Sequence, residues 1–275
     1  MNNLYWSSLF RALIKRSLFI FVVCFSTIQT AHSQEIFGNN AKIIRDRKAE
    51  KVTVDHLGNL YAIEESVLYK YSLQGELLYS YSNFSSGPIR SVDVTNPMKI
   101  MVFYQDPPAL IFLNDRLSPI TEKLDLMDKG LLTVSAAAYS TRNQIWLYDA
   151  AAMDLSILDI YFTVTDKIHY HFPDFRPSQI IEVPGKTFAM HSPGQGVYFF
   201  DSFGTFVKTI AIDTEHDIQI VDPSIYYLKN DILHIYNYTE LNEKQVPLER
   251  SDIIQCIVFR NRYILLTRAG EILIY

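Results

Sequence analysis

KVTVDHLGNLYAIEESVLYKYSLQGELLYSYS, residues 51–82, reads as four short strands separated by three turns. Val52 and Val54 alternate with polar residues, the period-two mark of a strand. Asp55, His56, Leu57, Gly58 and Asn59 form a turn, because Gly and Asn tolerate positive φ and Asp bonds the amides that follow it. A second strand begins at Leu60, and Glu64, Glu65 and Ser66 turn the chain again. Val67 to Tyr71 is a third strand; beyond Gln74 and Gly75 a fourth runs from Leu77 to Tyr81. Four antiparallel strands in a stretch of this length make one propeller blade.

The unit recurs along the chain. Its clearest marker is the third strand, found as VLYKYS (67–72), LIFLND (110–115), SILDIY (156–161), VYFFDS (197–202), ILHIYN (232–237) and EILIY (271–275). The copies fall about 40 residues apart, the length of a four-stranded blade. Six copies predict an all-β, six-bladed β-propeller. A β-sandwich with as many strands has no reason to repeat at this interval. The sixth marker ends at Tyr275, so the last blade lacks its outermost strand. Ala41 to Arg45 precede the first complete blade and have no blade of their own; they are expected to supply that strand and close the ring. The one stretch with some helical spacing, 124–139, predicts a single helical turn.

Residues 52–81, with a partial echo over 197–210, resemble the blade of NHL-type and TolB-like six-bladed propellers. Those blades join a valine–x–valine–aspartate strand, a Gly-Asn turn, an aromatic strand and a second glycine turn. IWLYDA (145–150) also looks like the third strand of a Trp-Asp repeat, although Trp146 is the one tryptophan after residue 33. The resemblance implies fold, and fold alone does not set function.

Residues 1–33 read as a secretory signal peptide, and 34–275 as one propeller domain. Arg11, Lys15 and Arg16 precede the apolar run Ser17 to Ile28; Ala31 and Ser33 are the small residues a signal peptidase reads, with Gln34 as the new N-terminus. The rival readings are a retained anchor, for which the apolar run is short, and a lipid attached at Cys24, which lacks a small residue before it. An exported bacterial protein of the periplasm or outer membrane follows. The remaining chain carries 22 Lys and Arg (25 less 3) against 30 Asp and Glu, a net charge of −8. With no basic stripe, this argues against a nucleic-acid partner. One cysteine remains, Cys256 in IIQCIVF, read as a small hydrophobe on a buried strand.

The chemistry is sparse. No nucleophile elbow, HExxH, P-loop or dinucleotide fingerprint occurs. Propellers that resemble gluconolactonase hold a metal in the central channel with Glu, Asn and Asp side chains. On that likeness Asp55, Asn59 and Asp93 are the candidates, and Asp55 reads better as a turn residue. His169 and His171 share one strand face without a third ligand nearby in sequence. Asp213 to Asp217 should link two blades on the rim that also carries Asp106 to Pro108, Asp149, Asp154, Asp174, Arg176 and Ser192 to Gln195, making an acidic, proline-rich surface. No residue is assigned as catalytic, cofactor-binding or metal-binding, and no cofactor is expected. The expected function is non-catalytic binding of another envelope protein, as an accessory subunit of outer-membrane assembly or secretion. The alternatives are a metal-dependent lactonase or esterase using the channel, and a carbohydrate-binding module.

Overall fold

A computed structural model describes residues 41–275 apart from 184, 186 and 249. The signal segment 1–33 and Cys24 lie outside these residues. The first strand, β1 (Lys42–Ile44), stands alone at the head of the described chain. Blade 1 follows as β2 (Lys51–Val54), β3 (Leu60–Glu64), β4 (Val67–Tyr71) and β5 (Leu77–Ser82). Blade 2 is β6 (Ile89–Asp93), β7 (Ile100–Gln105), β8 (Pro108–Leu113) and β9 (Leu124–Asp125). Blade 3 is β10 (Val134–Tyr139), β11 (Ile145–Asp149), β12 (Asp154–Leu158) and β13 (Val164–His169). Blade 4 is β14 (Gln179–Val183), β15 (Thr187–Ser192), β16 (Gly196–Asp201) and β17 (Phe206–Ile210). Blade 5 is β18 (Gln219–Val221), β19 (Ser224–Lys229), β20 (Ile232–Asn237) and β21 (Asn242–Pro247). Blade 6 is β22 (Ile253–Phe259), β23 (Arg262–Thr267), β24 (Ile272–Ile274) and, as its outermost strand, β1.

Every sheet is a four-stranded antiparallel meander, here called A to D from the channel outward. All six sequence markers fall on C strands. The ring closes as expected: Lys42 pairs with Ile274, Ile43 with Leu273 and Ile44 with Ile272. Blade 6 also grips the linker behind β1. Ala49 N–H donates to Gly270 C=O at 3.2 Å, and Gly270 has φ +86°, where a Cβ would stand 2.6 Å from Lys48 Cα. Only glycine fits this approach.

Two expectations change. IWLYDA forms β11, the second strand of its blade rather than the third. The period-two pattern also fails in the middle strands. β8 is buried at all six positions and β3 at its first four. Neighbouring blades pack face to face, so B and C strands are covered on both sides and read as continuous apolar runs. Tyr61, Leu68, Ile100 and Val102 form the core between blades 1 and 2. Trp146, Phe188 and Phe200 form that between blades 3 and 4, with Trp146 and Phe188 ring centroids 4.8 Å apart. The helical turn expected in 124–139 is a 3-10 turn, Met127–Lys129, between β9 and β10.

Ile44 is buried among Val52, Ile264 and Ile272, so it joins β1 to both blades at the seam. Ile44→Ala should cost about 2–5 kcal/mol, measured by urea denaturation. A loss within the scatter of surface substitutions would show that the closing strand contributes little.

Candidate functional site: the central channel and its two rims

The six A strands surround a channel of about 380 Å³. They splay apart and cannot form a continuous backbone ladder around it. Side chains replace that ladder. Gln179 in blade 4 accepts the N–H of Ile218 on Oε1 at 2.9 Å and donates from Nε2 to its C=O at 3.3 Å. Gln219 in blade 5 does the same to Val258, at 2.7 and 3.0 Å. Gln255 in blade 6 does the same to Val52 across the seam, at 2.9 and 3.0 Å. A primary amide offers one acceptor and one donor side by side, so it meets a peptide group as another strand would.

The channel carboxylates are likewise bonded to the chain. Asp93 in blade 2 accepts Tyr139 N–H at 2.8 Å, and Glu182 in blade 4 accepts Ser140 Oγ–H at 2.8 Å and Thr141 N–H at 2.6 Å. The two acids thus hold the end of β10 from either side. Asp93 also accepts Thr95 N–H. Burial pushes its carboxyl above the usual carboxylate range, against the opposing pull of the Tyr139 and Thr95 amides. Lys51 at the start of β2 and Asp217 in the linker entering blade 5 form an ion pair of 2.8 Å, reaching past blade 6 at one mouth of the channel.

His191 on β15 is fully buried and stands 3.2 Å from Gln179 Oε1 through Nδ1. Since Ile218 fixes which end of the amide is oxygen, Nδ1 carries the proton and donates. Burial pushes the imidazole down to about 4, against the attraction of Asp217, so it is neutral at pH 7.

Of the residues singled out in the sequence, Asp55 and Asp93 both line the channel, with separate partners. Asp55 is a turn residue. Its carboxylate accepts Leu57 N–H, Asn59 N–H, Asn59 Nδ2–H and Tyr61 Oη–H, all at 2.7–3.0 Å. Asn59 is thereby tied to Asp55, and neither is joined to Asp93. His169 and His171 lie on the outer side of blade 3, with ring centroids 6.3 Å apart and His169 Nδ1 2.9 Å from Asp154 Oδ1. No group of three or more His, Cys, Asp or Glu is placed to hold a metal among the described residues. Cys256 lines the channel as a buried residue of β22, and burial pushes its thiol up to about 12.

The B–C turns and the D–A linkers do meet on one rim. Gln195 Nε2–H donates to Asp174 C=O at 3.0 Å and Gly194 N–H to Thr214 C=O at 3.2 Å. Asp149 closes its own corner there, accepting Leu132 and Thr133 N–H, Thr133 Oγ1–H and the amides of Ala151 and Ala152. Burial alone would raise its carboxyl, but those bonds win and hold it below the usual range. Glu65, Asp106, Asp213 and Glu215 stand exposed on this rim.

The glutamine clamps escaped the sequence reading because glutamine has no motif of its own. A signal was present: SQI (178–180) and IQI (218–220) place glutamine beside isoleucine at the blade repeat, and IQCI (254–257) follows in blade 6.

No family model matches the sequence, and no curated protein matches it. Solved structures do. An inactive virginiamycin B lyase from Staphylococcus aureus, crystallised with quinupristin, is 7% identical with a TM-score of 0.63, over 86% of this chain and 99% of that one. A streptogramin B lyase is 12% identical with a TM-score of 0.61, over 84% and 80%. The Pan2 WD40 domain of Neurospora crassa is 12% identical with a TM-score of 0.56, over 82% and 74%. At these identities the likeness is one of fold, the β-propeller. The NHL-type reading of the blades finds no family match. No helix among the described residues is long and apolar enough to cross a membrane.

Gln219→Ala removes both bonds to Val258 and should cost about 1–3 kcal/mol in urea denaturation. For His191 the sign follows from linkage. The unfolded imidazole binds a proton near pH 6.5 and the folded one only near 4, so stability falls as pH drops across that window. His191→Gln should lose less stability between pH 7 and pH 4.5 than the parent chain, by up to about 3 kcal/mol. Parallel losses would remove His191 as the cause.

Proposed function

We propose that this chain is a non-catalytic protein-binding propeller of the bacterial cell envelope, exported by residues 1–33 and acting as an accessory subunit of outer-membrane assembly or secretion. One observation carries the non-catalytic part. Six of the polar groups that face the channel are engaged in holding blades together: Gln179, Gln219 and Gln255 on peptide groups, Asp93 and Glu182 on β10, and Asp217 on Lys51, while Asp55, which also lines it, is bonded within its own blade. A hydrolase needs acids or metal ligands turned toward a substrate, and recruiting these would open the ring.

The partner meets the B–C and D–A rim. Its exposed carboxylates sit on linkers bonded to one another, such as Gly194 to Thr214, which gives a firm surface of the kind that standard interfaces use. Exposed cations such as Arg176 and Arg268 stand among these acids, and Lys229 pairs with Asp213 at 2.8 Å, so the surface offers charges of both signs to a partner.

The test is a pull-down from native envelopes in mild detergent, using the tagged chain. One stoichiometric envelope protein is expected, and Asp213→Lys with Glu215→Lys should reduce its recovery at least about tenfold. Failure to recover any reproducible partner, or equal recovery by the charge-reversed chain, would overturn this assignment. Stoichiometric metal in the purified protein would favour the hydrolase instead.

A further inference from the structure

His169 and His171 flank Tyr170 in KIHYHF (167–172), at the end of β13. Successive side chains of an extended chain point to opposite faces, so the two imidazoles share one face with Lys167, and Ile168, Tyr170 and Phe172 share the other. The inner face fixes this alternation. Ile168, Tyr170 and Phe172 pack into the core between blades 3 and 4. The Tyr170 ring centroid stands 4.7 Å from that of Phe200 and 5.8 Å from that of Phe172, and Tyr170 Oη–H donates to Gly204 C=O at 2.7 Å. Tyr170 N–H donates to Met153 C=O at 2.9 Å, which carries the pairing with β12 one residue past the end of β13. The segment cannot turn over without emptying that core, so His169 and His171 are held outward, side by side.

Their ring centroids are 6.3 Å apart, and both residues are exposed. His169 is oriented from the neighbouring strand. It stands opposite Asp154 in the register of β12 and β13, with its Nδ1 2.9 Å from Asp154 Oδ1. A carboxylate only accepts, so Nδ1 carries the proton and the lone pair of the neutral ring lies on Nε2. Asp154 is itself held. Its other oxygen takes Lys167 Nζ at 3.2 Å, and its side chain is 14% exposed against 57% for that of His169. A carboxylate on the far nitrogen is the usual companion of a metal-bound imidazole, because it fixes the tautomer and the ring plane. This group comes from β12, fifteen residues before His169, so the order of residues in KIHYHF does not display it.

We infer that His169 and His171 together bind one divalent transition-metal ion, copper(II) foremost, with Asp154 positioning His169. Two imidazoles on one tetrahedral or tetragonal centre have ring centroids about 4.5–5 Å apart. Rotation of two exposed rings closes the remaining gap, while the backbone that carries them stays pinned by Tyr170. Imidazole nitrogen suits zinc, nickel and copper, and a given set of such ligands holds copper(II) most tightly of the divalent first-row ions. No group of three His, Cys, Asp or Glu ligands forms among the described residues. The other coordination positions are therefore left to water or to a ligand from a second molecule, which makes the ion exchangeable. The site uses no group of the channel, so this assignment and the non-catalytic reading of the channel stand or fall separately.

The test uses the untagged chain beginning at Gln34, since every strand of the fold lies between Lys42 and Ile274. Copper(II) is titrated by calorimetry in a buffer that does not coordinate it, and the same samples are read by electron paramagnetic resonance. The parent chain should bind one copper(II) ion in the micromolar range and show nitrogen coupling from two imidazoles. His171→Ala should weaken binding at least about tenfold and leave coupling from one imidazole. His169→Ala with His171→Ala should abolish the site while leaving the near-ultraviolet circular dichroism unchanged; if that pair misfolds, His171→Ala alone decides. Asp154→Ala should weaken binding about tenfold. Asp154→Asn, whose amide oxygen still accepts from Nδ1–H without the charge, should recover part of that loss. Copper bound equally well by the double variant would place the ion elsewhere in the chain and overturn the assignment, as would a parent chain that binds none. An affinity unchanged by Asp154→Ala would overturn the positioning role of Asp154. A metal in the channel would survive the histidine substitutions, so the hydrolase alternative is read apart from this site.

Discussion

Closure of the ring is the constraint on which the rest depends. Each sheet buries both faces of its middle strands against its neighbours, so a blade at the end of an open row would leave an apolar face in water. β1 prevents this by adding the outer strand of the last blade from the head of the chain. The seam is reinforced at three radii. Ile44 packs into the core between blades 6 and 1, Gly270 lets the Lys48 backbone lie against the B–C turn, and Gln255 clasps Val52 at the channel. Residues far apart in the chain are therefore held to one another as closely as neighbours within a blade.

The inner strands meet a second geometric problem. They diverge from their neighbours, and their peptide groups face a polar channel without a strand alongside. Glutamine solves this where two blades must be joined by both an acceptor and a donor. A carboxylate serves where only N–H or O–H groups need a partner, as at the end of β10. The cost of ordering these side chains is offset by the desolvated peptide groups they satisfy. The channel therefore looks polar in composition while most of that polarity is internal structure. The neutral state of His191 belongs to the same arrangement, because its Nδ1–H steadies the Gln179 amide.

The two rims diverge because their turns are built differently. B–C turns and D–A linkers cross and bond one another, which produces a continuous surface carrying exposed acids. C–D turns stand singly at the ends of outer hairpins, each braced by its own Ser, Asn or Asp. The brace closes the turn through its own side-chain oxygen and leaves the tip residue free of any packing demand, so the tip can be of any chemical type.

The blade repeat, the count of six and the closing strand were all legible in the amino-acid sequence, because third strands such as VYFFDS and ILHIYN must be apolar wherever two sheets enclose them. The turns at Ser72 and Asp201 were legible too, since Gly75 and Gly204 occupy their positive-φ positions. The equivalent turns at Asn114 and Asp159 were not, because Leu117 and Phe162 take that conformation and the bracing side chain bears its strain. Only the tertiary structure decided that Asp55 is spent on Asn59 and its own turn while Asp93 holds β10, and that His169 lies away from the channel. It alone joined Gln255 to Val52, 203 residues apart. Strand and turn chemistry acts over a few neighbouring residues and leaves its mark in their order. Which side chain answers which peptide group across a channel is settled only when the ring brings them together.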